Sequence, residues 1–200
     1  MEKKRRRCIR LRCLRRGASA RRKKEAAMNQ IIEAIKTRRS IRRFKPDMLP
    51  RETIDWIIEA GLYAASGMNT QNTVIVAVTD PEIRDRLSRA NAAVMGRDGD
   101  PFYGAPVVLV VLAEKGRRTY VHDGSLVMGN LMLAAHALGV GSCWIHRAAE
   151  TFDRPEWKEW LVSLGLEGDY EGIGNCILGY VEGDVPAAPP RREGRVFYAE

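Results

Sequence analysis

What this 200-residue chain lacks excludes several kinds of protein. No apolar stretch is long and unbroken enough to span a membrane. The longest, Leu126 to Ile145, is interrupted by Asn130, His136 and three glycines, and reads as a core helix followed by a strand. None of the four cysteines has the CxxC spacing of a zinc or iron–sulfur site. There is no G-x-S-x-G nucleophile elbow, and the three histidines are scattered. His122 beside Asp123 has no metal-ligand partner at helical spacing, and His136 on an apolar helix reads as a core residue. No GxGxxG follows a strand; the pairs Gly139/Gly141 and Gly172/Gly174 stand alone, so a protein-held dinucleotide fingerprint is missing.

The charge is distributed unevenly. Thirteen of the 33 basic residues and two of the 25 acidic ones fall in residues 1–27, which leaves 20 basic against 23 acidic in the remainder, a net of −3. The overall +8 therefore belongs to the tail, and the body is a mildly acidic globule. That tail has no apolar h-region, so it does not read as a secretory signal. Arg-rich blocks of one sign are disordered segments or interaction arms. Met28 offers a natural start, since Asn29 can cap a helix whose apolar positions begin at Ile31. We expect residues 1–27 to be a basic, disordered and dispensable extension and residues 28–200 to be one domain. Cys143 and Cys176 lie in apolar strand-like runs; buried free thiols fit a reducing, cytoplasmic compartment.

What is present reads as an alternation of helices and strands. Ile31, Ile32 and Ile35 share one face of a first helix. Pro50 opens a second, with Ile54, Ile57, Ile58 and Leu62 inward. Ser66 to Gln71 is too small and polar to continue it and forms a loop. Residues 73–79 form a buried strand, Asp80-Pro81 starts a helix, and residues 106–113 form a second buried strand. A helix apolar on most faces covers residues 122–138 and must be covered by its own sheet or a second subunit. Strands at 141–145 and 176–181 flank a helix that begins near Pro155 and carries Trp157, Trp160, Leu161 and Leu164. After Glu182 the chain has no core periodicity; Val196-Phe197-Tyr198 looks like an arm that packs on something already folded. One sheet flanked by helices makes this an α+β domain.

Arg38-Arg39-Ser40-Ile41-Arg42 stands out for chemistry. In an extended chain residues 38, 40 and 42 share a side, and two guanidinium forks with a hydroxyl suit a phosphate monoester. Spacing alone leaves a solvated basic face equally open.

RRSIRRF after a short helix resembles the nitroreductase family. So do EAGLYAASGMNTQN, PFYGAPVVLVVLAE, DGSLVMGNLMLAAHALGVGSCWIHRA and the closing ILGYVEG…PPRR, in the family's order across residues 29 to about 195. The resemblance implies a nitroreductase-like fold with a mainly antiparallel sheet. It implies a homodimer with an exchanged C-terminal arm and FMN in two interfacial clefts. It assigns Arg38, Ser40 and Arg42, with Arg39 nearby, to the flavin phosphate, and Arg191 or Arg192 to its closure. Ser66, Asn69 and Gln71 match positions that meet the isoalloxazine, whose pyrimidine edge an amide can serve with both a donor and an acceptor. Ile145-His146-Arg147 matches the turn near the reactive flavin nitrogen. Two positions depart from the family pattern, Ala65 and Asn72-Thr73, where relatives often carry Pro and Pro-Trp.

The implied activity is hydride transfer from NAD(P)H through the flavin to an electron-poor small molecule, a nitroaromatic or a quinone, by ping-pong exchange with no side-chain acid. Other flavin reactions on the same scaffold (dehydrogenase, dehalogenase, flavin processing) stay open. A nucleic-acid role would rest on the basic tail alone.

Overall fold

Strand propensity and burial converge on residues 106–113, and the sheet is built around them. The computed structural model describes residues 30–116 and 118–200. In chain order the elements are α1 (residues 30–37), α2 (Arg51–Leu62), β1 (Thr73–Val78), α3 (Pro81–Met95), β2 (Val107–Glu114), α4 (Tyr120–Ala137), β3 (Gly141–Ile145), α5 (Ala148–Phe152), α6 (Pro155–Ser163) and β4 (Tyr170–Gly179). The chain divides into two units between Arg38 and Arg39. In the first, α1 is closed by the Thr37 hydroxyl donating to the Glu33 carbonyl at 2.7 Å and the Arg38 N–H donating to that of Ala34 at 3.0 Å. Its Ile31, Ile32 and Ile35 are exposed. The expected extension, residues 1–27, lies outside the described residues.

In the second unit the sheet order is β1-β2-β4-β3, with every neighbouring pair antiparallel. Alternate β2 residues point to opposite faces. Val108, Val110 and Leu112 meet Leu87 of α3, Phe152 of α5 and Trp157 and Leu161 of α6. Val107, Leu109, Val111 and Ala113 meet Ile54 and Ile57 of α2 and Met128, Leu131 and Ala135 of α4. Helices on both faces explain why the run is apolar throughout instead of alternating. Asp80 caps α3 by accepting from the Ile83 N–H at 2.9 Å, with Pro81 in the first turn.

Three expectations need correction. The strand at residues 73–79 forms, as β1, but is not buried: as an edge strand it has only Val78 buried and Ala77 exposed. Leu62 does not face inward; it is 54% exposed. The buried stripe of α2 runs Ile54, Ile57, Gly61, and a Cβ on Gly61 would lie 2.6 Å from Leu131, so α4 packs onto that glycine and the next residue is turned outward. The last strand begins at Tyr170, not Cys176. Its early half was hidden by Gly172 and Gly174, where a Cβ would lie 2.4 Å from the Ala148 carbonyl oxygen and 2.6 Å from the Trp144 indole nitrogen. These glycines mark close approach inside a strand. Between them Ile173 bulges out of register, since Val111 pairs with Gly174 and Leu112 with Gly172.

Candidate functional site

The basic run is held at the edge of the sheet. The Ile41 N–H donates to the Ser142 carbonyl at 2.9 Å, beside a parallel bridge between Ser40 and Ser142, so residues 40–41 extend the sheet beyond β3. Further on, the Lys45 N–H donates to the Tyr180 carbonyl at 2.9 Å, and Phe44 pairs with Val181. Ile41 and Phe44 are buried and fasten the segment to the core. With Ile41 inward, Ser40 and Arg42 fall on the other side, as the alternation predicts. Arg38 closes the first unit, whereas Arg39 opens the second.

Arg42 opens onto a cleft of about 370 Å³, whose other walls are the Cys143–Arg147 segment, the Asp98–Pro101 loop and Tyr103. The expected turn Ile145-His146-Arg147 is therefore beside Arg42. Arg147 has φ of 73°, unusual for a residue other than glycine, and the turn is braced accordingly. Fully buried Asn91 of α3 donates from Nδ2 to the His146 carbonyl at 2.9 Å and accepts from Arg147 Nε at 3.1 Å. The Arg147 carbonyl accepts from the Thr151 hydroxyl at 2.7 Å.

The amide loop carries more positive-φ residues than the turn. Met68, Asn69 and Gln71 all have positive φ, at 54°, 55° and 48°. Ser66 closes the loop by accepting from the Gln71 N–H at 3.0 Å. Gln71 Nε2 donates to Asn69 Oδ1 at 3.2 Å, so the Gln71 oxygen and the Asn69 NH2 are the groups the pair can offer outward. One acceptor beside one donor complements an imide edge. The loop is tied down by Asp123 of α4, 3% exposed, whose Oδ1 accepts from the Gly67 N–H at 2.9 Å and whose Oδ2 accepts from the Thr119 hydroxyl at 3.0 Å.

The chain does not bring these two groups together. The loop precedes β1, one edge of the sheet, and Ser40 lies beyond β3, the other edge. Four strand spacings across and about six residues along the strands put them on the order of 25 Å apart. The C-terminal segment is exposed from Val185 to the end. Arg191 donates through Nε and Nη2 to the Pro189 carbonyl at 3.3 and 2.8 Å, so its contact is local.

Sequence reasoning missed Asn91, Asp123 and Asp100. Asp100 organises the loop over the cleft: it accepts from the Ser88 hydroxyl at 2.6 Å, from the Phe102 and Gly104 N–H groups at 2.9 and 2.7 Å, and from the Arg84 guanidinium. Burial pushes its carboxyl pKa up, but the bonds from Arg84, Ser88, Gly104 and Phe102 outweigh burial and hold it below the ordinary value. A many-partnered Asp two residues before an aromatic is the sort of signal a sequence shows only as Asp-Pro.

An antiparallel sheet between two helical layers, with a basic segment added at one edge beside a braced turn, defines an α+β fold with a basic rim. The nitroreductase family model matches residues 35–180, and the chain belongs to that family. A Methanothermobacter thermautotrophicus protein of the NADH dehydrogenase/NAD(P)H nitroreductase type is 33% identical over 119 residues, 57% of this chain and 59% of the relative. The NADPH-dependent FMN reductase of Bacillus subtilis is 27% identical over 144 residues, covering 64% of this chain and 58% of its own length. The chain thus matches under two thirds of the length of these relatives. A Bacteroides fragilis nitroreductase solved with bound FMN superposes with a TM-score of 0.76 at 29% identity, over 85% of this chain and 98% of that one. Among the described residues no helix is long and apolar enough to cross a membrane.

Proposed function

We propose that the protein is an FMN-dependent oxidoreductase that takes electrons from NAD(P)H and passes them to an electron-poor small molecule, a quinone or nitroaromatic, working as a cytoplasmic homodimer. FMN, when bound, supplies the redox chemistry, receiving hydride from the nicotinamide and returning both electrons to the acceptor. The residues present fit it. Ser40 and Arg42, on one side of the extended segment, supply a hydroxyl and a guanidinium for a phosphate at the sheet edge; Arg38 and Arg39 stay in the proposal on the RRSIR motif alone. Asn69 and Gln71 offer an acceptor and a donor to the pyrimidine edge, and Ser66 holds their loop closed. The Ile145–Arg147 turn orients backbone donors in a cleft partly closed to water, where they act most strongly on developing negative charge.

The observation that carries the reading is the split between the two half-sites. Phosphate donors and flavin amides at opposite sheet edges make one complete site only if a second copy supplies one half. Leu126, Trp56, Leu62 and Tyr63 expose apolar surface on α2 and α4, which fits burial against such a copy. Exposed Val196, Phe197 and Tyr198 fit an arm that crosses to it and brings Arg191 or Arg192 to the phosphate. Purified protein should be yellow with two visible absorption bands, sediment as a dimer, and give parallel initial-rate lines when NAD(P)H and quinone are varied. A colourless monomer that takes up no FMN overturns the proposal.

A further inference from the structure

Tyr103 is held in a backbone conformation that suits a smaller residue. Its φ is 55° and that of Gly104 is 74°, while the Ala105 N–H donates to the Phe102 carbonyl at 3.0 Å. Positive φ at both central residues of a hydrogen-bonded turn is the pattern of type I′ turns, which favour Asn, Asp and Gly. Gly104 obeys that preference; Tyr103 breaks it.

The loop cannot relax to relieve this. The Tyr103 N–H donates to the Asp100 carbonyl at 3.1 Å, and the Asp100 carboxylate accepts from the N–H groups on either side of Tyr103, at 2.9 Å from Phe102 and 2.7 Å from Gly104. Nor is the Tyr103 ring the anchor. Phe102 is fully buried and has Arg84 over its ring at 5.6 Å, whereas Tyr103 remains 43% exposed. Folding alone would therefore be better served by glycine at 103. Tyr103 also lines the cleft, with Arg42, Trp144, His146 and Arg147. Strain kept at the lip of a cleft, on a side chain that remains 43% exposed, points to a residue retained for what enters the cleft.

We propose that Tyr103 determines acceptor specificity: its ring is the wall against which the planar, electron-poor ring of the acceptor packs during reduction. An electron-rich phenol face complements such a ring better than it does a non-planar or inorganic acceptor. The inference rests on the flavin-oxidoreductase reading given above.

The test uses the full-length, FMN-loaded protein with Tyr103→Gly and Tyr103→Phe, and two acceptors, 1,4-naphthoquinone and ferricyanide. For Tyr103→Gly, the melting temperature should equal or exceed that of the parent, because the strained φ is relieved. Its FMN Kd should stay within twofold. Its KM for naphthoquinone should rise roughly 3- to 10-fold relative to its KM for ferricyanide, an effect of the size aromatic pairs give. Tyr103→Phe, which keeps the ring, should restore the parent ratio. A lower melting temperature in Tyr103→Gly would make Tyr103 a folding residue, and weaker FMN binding would make it part of the cofactor cradle; either overturns the proposal. So does an unchanged KM ratio. Failure of the underlying reading looks different: the parent protein itself would take up no FMN or reduce neither acceptor.

Discussion

Asp123→Ala is the substitution that most directly tests how the amide loop is held. The carboxylate of Asp123 reaches across 56 residues of sequence to the Gly67 N–H at 2.9 Å, at the start of the only described segment with three non-glycine positive-φ residues within four positions. Each of those conformations costs about 1–2 kcal/mol for a residue with a side chain, somewhat less for Asn69. A net hydrogen bond to a charged group contributes about 1.5–3 kcal/mol, so the tether offsets the strain of one or two of the three. Without it the loop relaxes, and a flavin that binds the loop must restore it. At about 1.4 kcal/mol per decade, the FMN dissociation constant should rise roughly 10- to 150-fold. Fluorescence-quenching titration of the FMN-free protein measures this, with thermal unfolding in parallel because a buried polar contact is also lost. Asp123→Asn separates the two effects: its remaining oxygen can accept from Gly67, and its NH2 can donate to the Thr119 hydroxyl. It should bind FMN within about fivefold of the parent. If the alanine variant binds FMN within twofold of the parent, or if asparagine does no better than alanine at equal melting temperature, the tether does not position the loop.

Arg42→Ala and Arg192→Ala should each weaken FMN binding, by roughly 10-fold or more for a charge-assisted phosphate contact, while Arg5→Ala should not; equilibrium dialysis of FMN checks all three. Asp100 gives a pH-dependent result. Its folded-state carboxyl lies below the ordinary value, so its contribution to stability is complete above the unfolded pKa near 4 and is lost as pH falls through the lower folded value. Asp100→Asn should therefore melt below the parent at pH 7, and the gap should narrow toward about pH 3; a gap that widens at low pH contradicts the assignment. Gly172→Ala places a methyl 2.4 Å from the Ala148 carbonyl oxygen, backbone against backbone, and should cost about 1–3 kcal/mol in denaturant unfolding, with FMN affinity falling as the 145–148 turn is displaced.

Local chemistry accounts for what could be read before the fold was seen. Asp80-Pro81 carries its own cap, the 106–113 run its own burial, and Ser40-Ile41-Arg42 its own alternation, so each appears where expected. Features that depend on a distant partner were not legible. Leu62 turns outward only because Leu131, far along the chain, packs on Gly61. Gly172 and Gly174 fall outside the strand expected at 176–181, and only the close approach of Ala148 and Trp144 makes them strand glycines. Asn91 carries no motif, and Asp123, though it opens the DGSLVMGN block, gives no local sign of its role, since their partners lie 55 and 56 residues away and are fixed by topology.

That same distinction explains the arrangement of the candidate site. The RRSIR run and the Asn69–Gln71 loop are each recognisable locally, and in sequence they are only some thirty residues apart. Their separation follows from β2 and β4 entering between the edge strands, an outcome set by pairing between segments that neither motif contains. Closing the gap within one chain would require unpairing the central strands, whose residues are the most completely buried in the molecule. A second copy can meet the same need through exposed apolar helices and an exposed arm, without breaking any sheet hydrogen bond. On this reasoning, substitutions that weaken dimerisation, such as Leu126→Glu on the exposed face of α4, should lower FMN affinity in proportion to the monomer fraction. Dilution of the parent protein should reproduce the effect, and FMN binding that is indifferent to dimer content would refute a shared site.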